Sequence, residues 1–249
     1  MSGHSKWSTI KRKKGAADAK RGQLFSKLAR AIIVAAKEGG SDPDSNAALA
    51  SAVQKARDNS MPKDNIERAI QRATGGDGEA DYEAIGYEGY APGGVAVYVT
   101  ALTDNRNRTA SDIRHVFSKN GGSLGEPGSV AWLFDRKGVL LVERESRDED
   151  EVMEVALGAG ADDFEEDGSM WQVTCDPGDF SGLRAALDEA GIAPASAELT
   201  MVPRETIAPD EPEARQILRL IDELEDVDDV QDVYANFDIS EEVLEAVAG

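Results

Sequence analysis

Cysteine is nearly absent from this 249-residue chain. The single Cys175 excludes an internal disulfide framework and any cysteine-rich zinc site. Histidine is almost as scarce. His4 and His115 alone cannot build a histidine-rich metal centre. No apolar run approaches the ~20 residues needed to cross a bilayer, and the most apolar-looking stretch, Ala29 to Ala36, is interrupted by Arg30. The first residues lack the apolar core of a secretory signal, so a mature start and a reducing, cytoplasmic setting are expected. Nothing calls for a cofactor.

Acid is abundant, and it is unevenly placed. The net charge is −21, which on its face argues against a polyanionic partner. Yet Met1 to Lys37 holds ten Lys/Arg against one acid, Asp18. Beyond Thr74 the balance reverses, with 12 basic and 41 acidic residues. Positive potential is thereby concentrated at one end, while the acidic bulk repels phosphate.

Residues 1–75 read as helical. After the basic Ser2 to Gly15, the segment Asp18 to Glu38 places Leu24, Phe25, Leu28, Ile32 and Ile33 on one face. Lys20, Lys27, Arg30 and Lys37 are expected on the opposite face. Helices over about 44–58 and from Pro62 onward complete a three-helix domain. A Gly/Asp/Glu linker follows, from Gly75 to Glu83.

The pattern then changes to strands. Gly94 to Leu102 alternates Val95, Val97 and Val99, Thr109 to Lys119 reads as a short helix, and Ser129 to Phe134 as a strand. Gly86 to Gly94 lacks any phosphate-loop spacing and reads as a turn entering the first strand. Residues 138–202 spell β-α-β-β-α-β, the ferredoxin-like order. A final helix over 213–224 and a strand over 230–237 supply what the middle region lacks. The expected fold is α+β in three domains. These are a basic helical domain (1–78), a central α/β domain split between 79–135 and 204–242, and a ferredoxin-like domain (136–203) inserted into it.

Few clusters promise chemistry. Lys6, Lys11, Arg12, Lys13, Lys14, Lys20 and Arg21, continued by Lys27 and Arg30, form a phosphate-binding candidate. Trp7, interleaved with them, serves either base stacking or anchoring. In Thr103-Asp-Asn-Arg-Asn-Arg-Thr109, Asp104 or Asn105 is placed to cap a helix, and Arg106 and Arg108 are placed to hold a phosphate. Asp163 to Gly168 half resembles a calcium loop, but Thr174 stands where a bidentate Glu is required. No nucleophile–base pair stands out, so a non-enzymatic protein without a small-molecule substrate is expected.

Several motifs together carry a resemblance. They are Ser2-Gly-His-Ser-Lys-Trp-Ser-Thr-Ile-Lys-Arg-Lys-Lys14, Phe25-Ser-Lys-Leu28, Asn59-Ser-Met-Pro-Lys-Asp-Asn-Ile66, Tyr87-Glu-Gly-Tyr-Ala-Pro-Gly-Gly94, Thr103 to Thr109, Lys119-Asn-Gly-Gly122 and Gly128-Ser-Val-Ala-Trp132. In this order they resemble the YebC/PmpR family, which includes the mitochondrial translational activator of cytochrome c oxidase. The resemblance implies three domains around a cleft and no catalytic residue. It also implies either a cytoplasmic DNA-binding transcriptional regulator or a factor acting on ribosomes that stall. The expected partner is accordingly DNA, or ribosomal RNA and the ribosome. A protein-binding adaptor whose acidic domains dock a basic partner ranks third.

Overall fold

The computed structural model describes residues 18–75, 82–239 and 243, with the backbone alone for 18–20. Three helices come first: α1 (Asp18–Gly39), α2 (Ala47–Asp58) and α3 (Lys63–Thr74). Gly40, at φ +93°, ends α1 in a left-handed turn that returns its N–H to Ala36. Asn46 joins the first two helices. Its side-chain oxygen caps α2 by accepting from Leu49 N–H, while its amide donates to the Ala35 and Gly40 carbonyls. Leu28, Ile32, Leu49, Val53, Ile66 and Ala69 form the core of this bundle.

The central sheet contains β1 (Glu83–Tyr90), β2 (Ala96–Thr103), β3 (Ser123–Leu124) and β8 (Val230–Ala235), in the order β3-β1-β2-β8, all antiparallel. Two helices cover one face, α4 (Arg106–Lys119) and α7 (Glu211–Glu225). Val95, Val97 and Val99 meet Ile113 and Phe117 of α4 and Ile217, Leu218 and Ile221 of α7. A reciprocal cap between Asp210 and Glu213, with Pro212 in the first turn, starts α7.

Between β3 and α7 the chain makes a second compact unit, Phe134–Arg204. It runs β4 (Phe134–Glu143), α5 (Glu149–Gly158), β5 (Ala161–Asp167), β6 (Met170–Cys175), α6 (Phe180–Glu189) and β7 (Ser196–Pro203). The sheet order β5-β6-β4-β7, all antiparallel, is the ferredoxin-like one. Leu140, Val142 and Val173 pack on Val152, Ala156, Leu183 and Leu187 of its two helices.

The two sheets share one plan. Position for position, β3, β1, β2 and β8 stand where β5, β6, β4 and β7 stand. In the central sheet, however, the strand in β6's place comes first in the chain.

Two expectations are corrected. Gly86 to Gly94 is mostly strand, and the turn is confined to Pro92–Gly94. Gly86 and Gly89 mark close packing within β1, since a Cβ would lie 2.7 Å from Tyr98 Oη at the first and 2.7 Å from the Phe117 ring at the second. Conversely, Ser129 to Phe134 is no strand. It is a bend and a short 3-10 turn before β4 begins at Phe134. The N–H groups of Gly128, Val130 and Ala131 donate to the buried Glu88 carboxylate, at 2.6, 2.6 and 2.8 Å, instead of to a neighbouring strand.

Candidate nucleic-acid interface

The interface was expected on the cationic leading segment, on α1 and on the Thr103–Thr109 loop. Lys6, Lys11, Arg12, Lys13 and Lys14 lie outside the described residues, as do His4 and Trp7. Lys20 sits on the first turn of α1, described by its backbone alone. Arg21 is exposed, with its guanidinium 5.5 Å from the Phe25 ring.

The rest of α1 corrects the expectation of a solvated basic face. Gln23, Lys27 and Arg30 recur at i, i+4 and i+7 and form one stripe. That stripe meets the acidic stretch running from the end of α7 through the turn into β8, which holds Glu225, Asp226, Asp228, Asp229 and Asp232. Gln23 Nε2 donates to Asp226 O at 2.7 Å and to Asp228 Oδ1 at 3.2 Å. Lys27 Nζ donates to Glu225 O at 2.5 Å. Arg30 Nη1 reaches Asp228 O at 2.9 Å and Leu102 O at 3.2 Å. From α2, Lys55 Nζ pairs with Asp232 Oδ1 at 2.6 Å. Gln23 and Lys27 thereby complete open carbonyls at the C-terminal end of α7, where its dipole favours cations.

Lys27 is only 9% exposed. Burial lowers its pKa to about 8, and the carboxylates of Glu225, Asp232, Asp228 and Asp226 offset that only in part.

Asp229 is the hub of the contact. Its Oδ2 accepts from Arg108 Nη2 at 2.8 Å, Thr109 Oγ1 at 2.7 Å and Thr103 Oγ1 at 3.2 Å. Its Oδ1 accepts from Arg30 Nη1 at 3.2 Å. Burial pushes this carboxyl up. The hydrogen bonds from Arg108 and Thr109, with the charges of Arg108 and Arg30, outweigh that and hold it below the usual carboxylate range.

The Thr103–Thr109 loop therefore does two local jobs. Asn105 caps α4 by accepting from Arg108 N–H at 3.1 Å. Thr103, Arg108 and Thr109 grip Asp229, and Arg108 also pairs with Asp104 at 2.8 Å. The two arginines of the loop diverge. Arg108 is held by carboxylates, whereas the Arg106 side chain is 67% exposed beside Glu83 at 3.6 Å.

Of the expected phosphate contacts, the structure thus brings Arg30 and Arg108 together on an internal carboxylate and buries Lys27. Arg21 and Arg106 face solvent. Asp229 escaped the sequence reading because it is one acid in an acidic run. The available signal was the pair of threonines bracketing the loop, whose hydroxyls need a buried acceptor.

Cys175 is buried, and burial with nearby Asp162, Asp179 and Asp176 raises its thiol to about 11, far from a reactive thiolate. Among the described residues no cluster of three or more His, Cys, Asp or Glu is arranged to hold a metal. No helix among them is long and apolar enough to cross a membrane.

Comparison with known proteins bears on the whole chain. A probable transcriptional regulatory protein of Rubrobacter xylanophilus is 66% identical over 250 residues, covering 100% of both chains. One of the same description from Pelotomaculum thermopropionicum is 54% identical, covering 97% of this chain and 100% of its own. The crystal structure of a conserved hypothetical protein from Aquifex aeolicus superposes with a TM-score of 0.81 at 44% identity, over 91% of this chain and 94% of that one. Residues 5–76 match the TACO1/YebC protein N-terminal domain, and residues 82–237 match the TACO1/YebC second and third domain. The chain belongs to the TACO1/YebC family.

Proposed function

We propose that this protein is a nucleic-acid-binding regulator of gene expression that acts on DNA in the cytoplasm. The observation that carries the reading is the division of charge. Ten Lys/Arg against one acid in Met1 to Lys37 precede a chain whose remainder is strongly acidic. Lys/Arg that neutralise phosphates release counterions, which gives affinity without sequence preference. The name borne by relatives at 66% and 54% identity, probable transcriptional regulatory protein, supports a regulatory role.

The burial of Lys27 and the engagement of Arg30 and Arg108 refine the set. Lys6, Lys11, Arg12, Lys13, Lys14, Lys20, Arg21 and Arg106 are the proposed phosphate contacts, and the other three hold the scaffold that presents them. A second reading, a translation factor on the ribosome, uses the same cationic segment on ribosomal RNA. It is supported by the four-stranded ferredoxin-like sheet β5-β6-β4-β7, a kind of platform that RNA-binding modules also use.

The test replaces Lys11, Arg12, Lys13 and Lys14 by Gln in the full chain. The slope of log affinity against log salt on duplex DNA should become shallower by about 3–4, roughly one unit per lost phosphate contact. An unchanged affinity and slope would overturn the proposal. Crosslinking in cells, with sequencing of bound DNA and bound RNA, separates promoter occupancy from ribosomal RNA occupancy.

A further inference from the structure

The first and third helices flank a groove of about 360 Å³. This lies at the lower end of the ~300–1,000 Å³ typical of small-ligand clefts. Its floor is apolar, formed by Ala29, Ile33 and Ala69. Its walls carry Arg30, Arg68 and Arg72, with Phe25 and Tyr82 as aromatic faces. No Asp or Glu lines it among the described residues, in a chain of net charge −21.

The walls are pre-arranged. The Arg30 guanidinium lies 5.0 Å from the Tyr82 ring centre, held there by its bonds to Asp229 and the Asp228 carbonyl. Arg68 donates to the Asp64 carbonyl at 3.0 Å and to the Asn65 side-chain oxygen at 2.6 Å. Both of these partners are neutral, so the bonds orient the guanidinium without cancelling its charge. Arg72 lies one helical turn further along the same face of α3 and is exposed.

We propose that this groove binds one unpaired nucleotide of a single-stranded nucleic acid. The base lies on the apolar floor between the aromatic faces, and the flanking phosphates meet Arg68 and Arg72. The argument joins shape to charge. Aromatic and guanidinium planes stack on bases of any sequence, and only an unpaired base exposes its faces to them. Among the described residues the lining carries three arginines and no Asp or Glu, in an otherwise acidic protein, and this favours a polyanion. The first helix forms one wall and continues the cationic segment in sequence, so the two cationic elements adjoin along the chain. The inference rests on the nucleic-acid reading above and adds a preference for single strands.

The experiment measures binding of the full chain to fluorescent oligo(rU), oligo(dT) and a duplex of equal length, with polyglutamate as competitor. Wild type should prefer single strands over duplex by roughly tenfold, the scale of one stacked base. Arg68→Gln with Arg72→Gln should abolish that preference while duplex binding stays within about twofold, since the cationic segment is intact. Tyr82→Phe should retain the preference and Tyr82→Ala should lose it. Urea midpoints matching wild type show that each variant is folded. The ratio of oligo(rU) to oligo(dT) affinity tells whether RNA or DNA is the preferred source of the nucleotide.

Equal affinity for single strand and duplex in wild type would overturn the groove proposal and leave the general reading standing. So would a parallel loss of both in the arginine variant. Displacement by polyglutamate as effective as by oligonucleotide would overturn it in favour of an acidic peptide. Failure of wild type to bind any nucleic acid would instead sink the reading on which it rests.

Discussion

The central and inserted sheets have the same strand order yet are stabilised differently. In the inserted unit the chain visits the strands in the usual sequence, and its main ion pairs lie at the surface. Lys137 pairs with Asp162 at 2.8 Å and Asp176 at 2.6 Å, Arg204 with Asp135 at 2.7 Å, and Arg144 with Glu166. Such pairs contribute little individually. In the central sheet the chain order is permuted and the polar contacts go inside. Glu88 holds the loop that precedes β4, and Asp229 holds α1, α4 and the start of β8. An interrupted chain has more ends to tie down, and buried carboxylates tie them. Where a carboxylate sits, more than how many there are, decides its effect on stability.

The largest consequence falls on Asp229. Asp229→Ala removes the acceptor shared by Arg30, Arg108, Thr103 and Thr109, and loss of one partner from a buried pair costs roughly 3–5 kcal/mol. Asp162→Ala, in the surface pair of the inserted unit, should cost less than about 1 kcal/mol. Urea unfolding of the two variants checks the contrast, and equal midpoints would erase it. The expected Asp229→Ala unfolding is also biphasic, with the helical domain released first. Because the Asp229 carboxyl titrates below the ordinary carboxylate range, its stabilisation is complete above about pH 4 and disappears as pH falls through the lowered value.

Glu88→Ala should come next, at about 2–3 kcal/mol. It leaves the N–H groups of Gly128, Val130 and Ala131 without their acceptor, and a buried donor without a partner costs ~1–3 kcal/mol. Burial raises this carboxyl, and those three backbone donors, with the Ser129 N–H, more than reverse the effect, so its pKa too lies below normal. Glu88→Gln keeps the shape but offers one acceptor oxygen in place of two, and should fall between wild type and Ala. Amide exchange at Val130 and Ala131 should quicken in the order wild type, Gln, Ala. Unchanged protection in Glu88→Ala would show that the loop holds itself.

Much of the fold was legible because it is written locally. In the inserted unit short β-rich runs bounded by turn residues mark the strands and each helix has its own apolar stripe, so the β-α-β-β-α-β order is legible from local pattern. The long seventh helix announces itself through Asp210, Pro212 and Glu213. The misreadings share one cause, a long-range polar or steric partner. Gly86 and Gly89 look like turn residues until Tyr98 and Phe117 lie over them. The stretch around Val130 looks like a strand until Glu88, some forty positions earlier, takes its N–H groups. At the candidate interface, helical periodicity separated apolar from charged positions on α1. It gave no sign that Gln23, Lys27 and Arg30 find an acidic turn nearly two hundred residues away.

The smallest effect sets the two regions against each other through pH. Lys27, at the contact of α1 with the acidic turn, titrates at about 8, against 10.5 ordinarily. Between those values the unfolded chain binds a proton that the folded chain has released, so its contribution to stability rises with pH. Cys175, in the core of the inserted unit, runs the other way. Its thiol is raised to about 11 from 9.0, so between those values the folded chain keeps a proton that the unfolded chain has lost, and stability falls. Neither slope can exceed about 1.4 kcal/mol per pH unit, the limit for one proton. Lys27→Met, which retains the apolar stem and cannot titrate, should flatten the rise by roughly 1 kcal/mol between pH 8 and 9. Cys175→Ala should remove only the later fall, above pH 9. Comparing the pH dependence of urea midpoints for wild type and the two variants separates the opposing slopes. If Lys27→Met follows wild type throughout, Lys27 carries its charge in the folded protein at ordinary pKa. The contact between α1 and the acidic turn would then be a solvated ion pair of the kind seen on the inserted sheet.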